Sequence, residues 1–338
     1  MGSPSRAWLA RQLLVPCVIL LVALGAAACG GGDESATPPA EPPMTVPETP
    51  PPPTETTPPA DLSTTVLPPT ETAPQPAPTS PTPLPPPSVP FSWSSAGAFV
   101  WHETDVEPTL LGTSLRNAGF GWVAVYLHDG MAEDPVEADW AYRVRLASGL
   151  PVGGWGVLRT QPEDEARLAQ QLLARYRLDF YVANPEVEYE FSGPNGPDPE
   201  RSGRSRRFVD AFRALMPNVP AGVSSYCRPD LHDIDWPSWR QAGFAFLPQA
   251  YANDLGQQGM PASCVAGATS FFSRESVHPT VGMHPGTVDS LDAAAYVELL
   301  DQAGTVGFSV YLAETRMTDA EWQVFGSGIA ERGIARAA

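Results

Sequence analysis

Residues 179–191, reading DFYVANPEVEYEF, begin as an apolar, β-rich run and end in three carboxylates: Glu186, Glu188 and Glu190. A spacing of two puts all three on one side of an extended backbone. Like charges on one face are costly unless a substrate, a metal or a shared proton uses them. The chemistry open to them is general acid/base work, in which one carboxyl protonates a leaving oxygen while another stabilises or attacks the reacting centre. Glu188 is the first candidate for the acid, because it stays close to Asn184 and the end of the strand. Glu186 is then the partner that orients or polarises. Glu190 is either an alternative acid or a solvated rim residue.

Positioning such a set needs a scaffold, and the rest of the chain supplies its outline. From residue 91 apolar runs alternate with helical patterns: strands near 98–101, 121–127, 151–158, 178–184, 219–226, 244–247, 276–283 and 304–312, with helices between them. Proline opens and arginines close the helix at 162–177. The helix after the sixth strand is the least defined. Eight strand–helix steps in about 248 residues predict a (β/α)8 TIM barrel, a closed parallel sheet with its site at the carboxyl ends of the strands. Those ends carry Trp101-His102-Glu103, Tyr126 to Asp129, Trp155, Asn184 with the three glutamates, Ser225-Tyr226, Gln249-Ala250-Tyr251, His284, and Tyr311 with Glu314. Glu314 can supply the opposing carboxylate from across the barrel. Tyr226, Gln249, Tyr251 and Asn184 are candidates for hydrogen bonds to substrate. Trp101 and Trp155 are either core or flat platforms for sugar rings, whereas Trp122, Trp239 and Trp322 read as core.

Carboxylates beside aromatics point to carbohydrate chemistry. The strand-four stretch resembles the chitinase-like glycoside hydrolases of family 18, which carry D-x-D-x-E at this place with the last glutamate as proton donor and the middle acid orienting the substrate's acetamido group. Glu186-Val187-Glu188-Tyr189-Glu190 has that spacing, with glutamate for both aspartates and Pro185 just before it. Gln249-Ala250-Tyr251 looks like the tyrosine-bearing strand end of the same family, and family 25 lysozymes carry a shorter D-x-E. The resemblance covers the barrel plan and one motif, and it implies a class of reaction without naming a substrate.

Upstream of the barrel the composition changes twice. Residues 1–28 form a targeting segment, with Arg6 and Arg11, an apolar run at 13–24, and three alanines before Cys29. This resembles a bacterial lipoprotein signal and implies a lipid on Cys29 and a membrane-anchored protein exposed outside the cell. Residues 29–90 hold 22 of the chain's 40 prolines and no arginine, the composition of a disordered tether. Its polyproline II limit is on the order of 190 Å, at about 3.1 Å per residue, enough to reach into a cell wall. Cys227 and Cys264 remain after export, both follow predicted strands on the site face, and pairing is expected in that compartment.

All 20 basic residues are arginine, and the formal charge is −18. The absence of lysine excludes Schiff-base, P-loop and Ser–Lys chemistry, and the acidity argues against nucleic acid as a partner. The short run Arg201, Arg204, Arg206, Arg207 reads as the exposed start of a helix. The expectation is therefore a lipoprotein with a glycoside-hydrolase-like barrel, without cofactor, acting on polysaccharide or peptidoglycan. Two alternatives stay open. One is a non-catalytic glycan-binding module on a degenerate barrel. The other is a metal-dependent barrel hydrolase drawing on His102, His128, Asp129, Glu188 and His284.

Overall fold

The computed structural model describes residues 85–101, 107–193, 196–283, 291–312 and 317–331. The signal segment, most of the tether, and the side chains of His102, Glu103, His284 and Glu314 lie outside them. Met1–Pro76 and Ala77–Ala338 are separate units, and everything described belongs to the second. Among the described residues no helix is long and apolar enough to cross a membrane.

Among the described residues eight parallel strands form the barrel, with the two-residue strand Ala132–Glu133 added antiparallel to the second: β1 (Gly97–Val100), β2 (Trp122–Asp129), β3 (Val152–Leu158), β4 (Tyr181–Pro185), β5 (Ala221–Tyr226), β6 (Ala245–Ala250), β7 (Thr280–Gly282) and β8 (Ser309–Leu312). Each pairs with its neighbour in sequence order, and β1 pairs with both β2 and β8, so the sheet closes into a (β/α)8 barrel. The helices between them are α1 (Pro108–Ala118), α2 (Trp140–Ser148), α3 (Pro162–Tyr176), α4 (Arg204–Leu215), α5 (Trp236–Gln241), α6 (Pro261–Ala268), α7 (Ala293–Ala303) and, after β8, α8 (Asp319–Glu331). The ill-defined sixth helix of the sequence reading is α6. Its sequence, PASCVAGA, is small and apolar and gives little periodic contrast, although Pro261 opens it as a proline at a first turn should.

Alternation along the strands sorts side chains into two cores. Outward residues such as Val123, Val125 and Ala183 pack beneath the helices, whereas Phe99, Trp122, Tyr126, Trp155, Phe180 and Val182 fill the barrel. Glycine makes room for the large rings inside. A Cβ on Gly97 would fall 2.0 Å from the Trp122 ring, and one on Gly153 would fall 2.3 Å from Phe180. Two aromatics from before the first strand join this interior cluster. Phe91 stacks on Phe180 with centroids 4.4 Å apart, and Trp93 meets Trp122 and Phe180 edge-on at 5.5 Å. They plug the amino-terminal end of the barrel. The approach is pinned by Ser88, whose backbone N–H donates to the Gly149 carbonyl at 2.8 Å, and by Arg145, which donates to the Pro85 carbonyl at 3.3 Å. Arg145 also pairs with Asp179, whose carboxylate accepts from the Val152 N–H at 2.8 Å. Asp179 thus fastens the end of the barrel opposite the three glutamates.

Trp93→Ala is expected to destabilise the barrel by about 2–3 kcal/mol, below the range for a fully buried tryptophan because the ring is only partly covered. A urea unfolding curve checks this. An unchanged midpoint would mean that the plug contributes nothing.

Candidate active site

Strand β4 carries Val182 and Asn184 on its inward register, and Glu186 follows directly after its last residue. Val182 joins the interior aromatic cluster. Asn184, buried, accepts from Gln249 Nε2 at 2.9 Å and donates through Nδ2 to Glu186 Oε1 at 3.3 Å. Pro185 does not break the strand. It is the last β4 residue, in register with Leu158, and its carbonyl accepts from the buried Ser225 hydroxyl. The chain turns one residue later, because 187–189 form a 3-10 helix.

That turn corrects the expectation of three carboxylates on one face. Glu186 stays at the mouth of the barrel. Glu188 swings toward the end of β3, where its Oε1 accepts from Arg159 Nη1 at 2.9 Å. Glu190 swings to the loop after β5, where its Oε1 lies 2.6 Å from His232 Nδ1. A helical turn rotates successive alternate residues apart, whereas an extended strand aligns them.

The surroundings of Glu186 favour its neutral form. Burial raises its carboxyl pKa above the usual range, and nearby Glu188 adds to that. Hydrogen bonds from Asn184 and Gln249 and the charge of Arg159 pull the other way without cancelling it. Tyr251, at the end of β6, has its phenol pushed well up by burial first and then by the charge of Glu186. Tyr226, at the end of β5, is pushed up by burial and then by Glu190, Glu186 and Glu188. Its ring stacks on His232, with centroids 3.6 Å apart and planes within 7°. A partly buried carboxyl able to hold a proton is what a general acid requires.

Beneath these groups lies an aromatic floor. Trp101, only partly covered, stacks on Tyr126 at 4.8 Å, and Tyr311 stacks on Tyr251 at 5.5 Å. Trp155 tilts against Trp101 and Tyr126 but is 95% buried, with its Nε1 donating to the Val100 carbonyl at 3.0 Å. Trp155 is therefore part of the floor and presents no open face for a sugar ring, while Trp101 sits at the level of the mouth.

Several residues behave differently from the sequence reading. Arg159, the first residue after β3, was not singled out, although its position on the site face of the barrel was legible. It grips Asp129 with Nε and with Nη2 at 3.0 Å, and Glu188 with Nη1. Of the supposedly exposed arginine run, Arg204 is buried and donates to the Glu188 carbonyl, and Arg201 donates to the Val187 carbonyl at 2.7 Å. Cys227 follows β5 and Cys264 lies within α6, and the two form a disulfide. His128 faces the helices: a bulge between Tyr126 and His128 turns its ring outward, and its two nitrogens meet the Gly130 carbonyl and the Tyr181 hydroxyl at 2.9 and 2.8 Å. Among the described residues no three His, Cys, Asp or Glu side chains converge as a metal site. The metal alternative thus loses His128, while His102 and His284 are not described.

Glu165 of α3 organises the turn from below. It is fully buried and accepts from the N–H groups of Arg159 at 2.9 Å and Gln161 at 3.2 Å and from the Tyr189 hydroxyl at 3.0 Å. Glu165→Ala strands the buried Tyr189 hydroxyl and two part-buried N–H donors and should cost about 1–3 kcal/mol, measured by chemical denaturation. A loss under 0.5 kcal/mol would show that the donors find other partners.

No family model matches this sequence, and no curated protein matches it. Solved structures do. A class V chitinase from Nicotiana tobaccum superposes with a TM-score of 0.52 at 6% identity over 69% of this chain and 98% of that one. The chitinase-like agglutinin of Robinia pseudoacacia gives 0.52 at 8% identity over 69% and 98%. Active domain 2 of a thermostable chitinase from Pyrococcus furiosus, solved with chito-oligosaccharides, gives 0.52 at 10% identity over 74% and 99%. At such identities the likeness is one of fold, and it places this domain among (β/α)8 barrels built like those of chitinases.

Proposed function

We propose that this barrel is a glycoside hydrolase for cell-wall or extracellular polysaccharide, with Glu186 as its general acid. The observation that carries the reading is the position of Glu186. It is a single carboxyl just past the end of β4, with its pKa raised by burial, ringed by Asn184, Gln249 and Tyr251, above an aromatic floor. In the proposed reaction Glu186 gives its proton to the glycosidic oxygen as the bond from that oxygen to the anomeric carbon breaks. Water adds to the anomeric carbon and loses a proton to a second carboxylate. Glu188 is one candidate, since Arg159 holds its Oε1 and its Oε2 is buried with no hydrogen-bond partner among the described residues. Glu314, beyond β8, is the other. Trp101, Tyr226, Gln249 and Tyr251 are the proposed substrate contacts, with Asn184 holding Glu186. The barrel works outside the cell, lipid-anchored at Cys29 and held off the membrane by residues 30–90. What supports this is the export segment, the small residues before Cys29 and the proline-rich stretch after it.

One observation favours a second reading, a glycan-binding module without turnover. Valine and asparagine occupy the two inward β4 positions before Glu186, so β4 itself adds no second carboxyl. An agglutinin is also among the barrels this fold resembles. Incubating the full chain with peptidoglycan, chito-oligosaccharides and common polysaccharides separates the two. New reducing ends that vanish in Glu186→Gln support the hydrolase. Retained binding without cleavage supports the module. Neither binding nor cleavage overturns both.

A further inference from the structure

Arg159 joins two elements at the mouth of the barrel. Its guanidinium makes a two-point fork to Asp129 at the end of β2 and a third bond to Glu188 on the turn after β4. Carboxylate pairs of this planar geometry are directional as well as strong. The backbone of the same turn is held independently: Arg201 and Arg204 bond the carbonyls of Val187 and Glu188, and Tyr189 bonds Glu165. Removing the Arg159 side chain therefore frees the Glu188 carboxylate while leaving the turn's own fastenings in place.

We propose that Arg159 is the positioning residue of this site, holding the Glu188 carboxylate at a fixed place beside the Glu186 carboxyl. The proposal rests on the reading of Glu186 as the acid. The groups facing Glu186 are Asn184 from β4, Glu188 from the turn, Arg159 from the end of β3, Tyr226 from β5, and Gln249 and Tyr251 from β6. Two of these carry opposite full charges, and Arg159 ties them together. The cation draws the Glu186 carboxyl down and the Glu188 anion pushes it up. Without Arg159, the anion acts on Glu186 uncompensated from wherever it then settles.

The test is a pH titration of the Glu186 carboxyl by carbon NMR on the full chain carrying labelled glutamate. The resonance is assigned by its absence in Glu186→Gln. In Arg159→Met the Glu186 midpoint is expected to rise, and in Glu188→Gln to fall. Arg159→Lys keeps the charge and loses the fork, and should rise less than Arg159→Met. The alkaline limb of the rate profile should move with these midpoints. The kcat of Arg159→Met should fall about ten- to a hundred-fold with KM nearly unchanged. A Glu186 midpoint unmoved by Arg159→Met and Glu188→Gln, or moved the same way by both, overturns the proposal. Should Arg159→Met fail to fold, Arg159→Lys and Glu188→Gln carry the same opposed directions. The midpoints are readable whether or not sugar is released. A chain that hydrolyses nothing yet shows the opposed shifts therefore overturns the hydrolase reading and leaves the role of Arg159 standing.

Discussion

Glu186→Gln is expected to reduce polysaccharide cleavage by about 10²–10⁴-fold, the usual contribution of a positioned general acid, and at the same time to make the neutral-pH protein more stable. The two effects have one cause. The carboxyl sits where burial favours its neutral form, so above its unfolded value the folded state must either hold a proton or pay for a buried charge. A folded pKa raised above the unfolded one means that the native state binds more protons, and stability falls as pH rises between the two values. Glu186 thus contributes most below about pH 4.3, its unfolded value, and that contribution is lost as pH climbs through the folded value. An amide does not titrate. Thermal melts of wild type and Glu186→Gln should coincide near pH 4 and separate toward pH 7, with the variant higher. Equal melts across the range would show that Glu186 is not held in its neutral form, and would remove the reason for assigning it as the acid.

Reduction of the Cys227–Cys264 bridge, or its replacement by serines, should lower stability by about 3–4 kcal/mol. The bridge closes a loop of 37 residues, and the chain-entropy cost of such a loop is of that order. It joins the residue after Tyr226 to α6 and so spans β6, the strand carrying Gln249. Loosening it should raise KM for glycan more than it lowers kcat, since Tyr226, Gln249 and Tyr251 are the proposed contacts and Glu186 is fastened elsewhere. Guanidinium unfolding with and without reductant checks the first expectation. Steady-state kinetics of the serine variant checks the second. An unchanged midpoint would mean that the unfolded chain gains little freedom when the bridge opens.

The barrel was legible in the sequence because its signals are local. Alternation of apolar runs with helical patterns, proline at the starts of α1 and α3, and glycine closing α1 and α2 with positive φ at Gly119 and Gly149 each depend on neighbours a few residues away. The faint element was α6, where small apolar residues give no contrast between faces. The identity of the strand ends also followed, and with it the region where Glu186, Gln249 and Tyr251 meet. The plug formed by Phe91 and Trp93 was not legible, because two aromatics before a strand carry no sign of which end of a barrel they fill.

The arrangement of the carboxylates was decided by the tertiary structure. The EVEYE spacing reads equally well as strand or turn, and what makes 187–189 a turn is remote in sequence. Arg159 comes from the end of β3 and Glu165 from α3, while Arg201 precedes α4 and Arg204 opens it. Long-range hydrogen bonds and ion pairs of this kind have no period to read. They settled that Glu186 alone of the three stays at the mouth, that Glu188 pairs with Arg159, and that Glu190 pairs with His232. The sequence by itself determined that a carboxylate would stand at the end of the fourth strand of a barrel, because alternation and helix periodicity are written in neighbouring residues. Which carboxylate, and in what electrostatic company, only the fold could decide, because that depends on charges brought together from four separate stretches of chain.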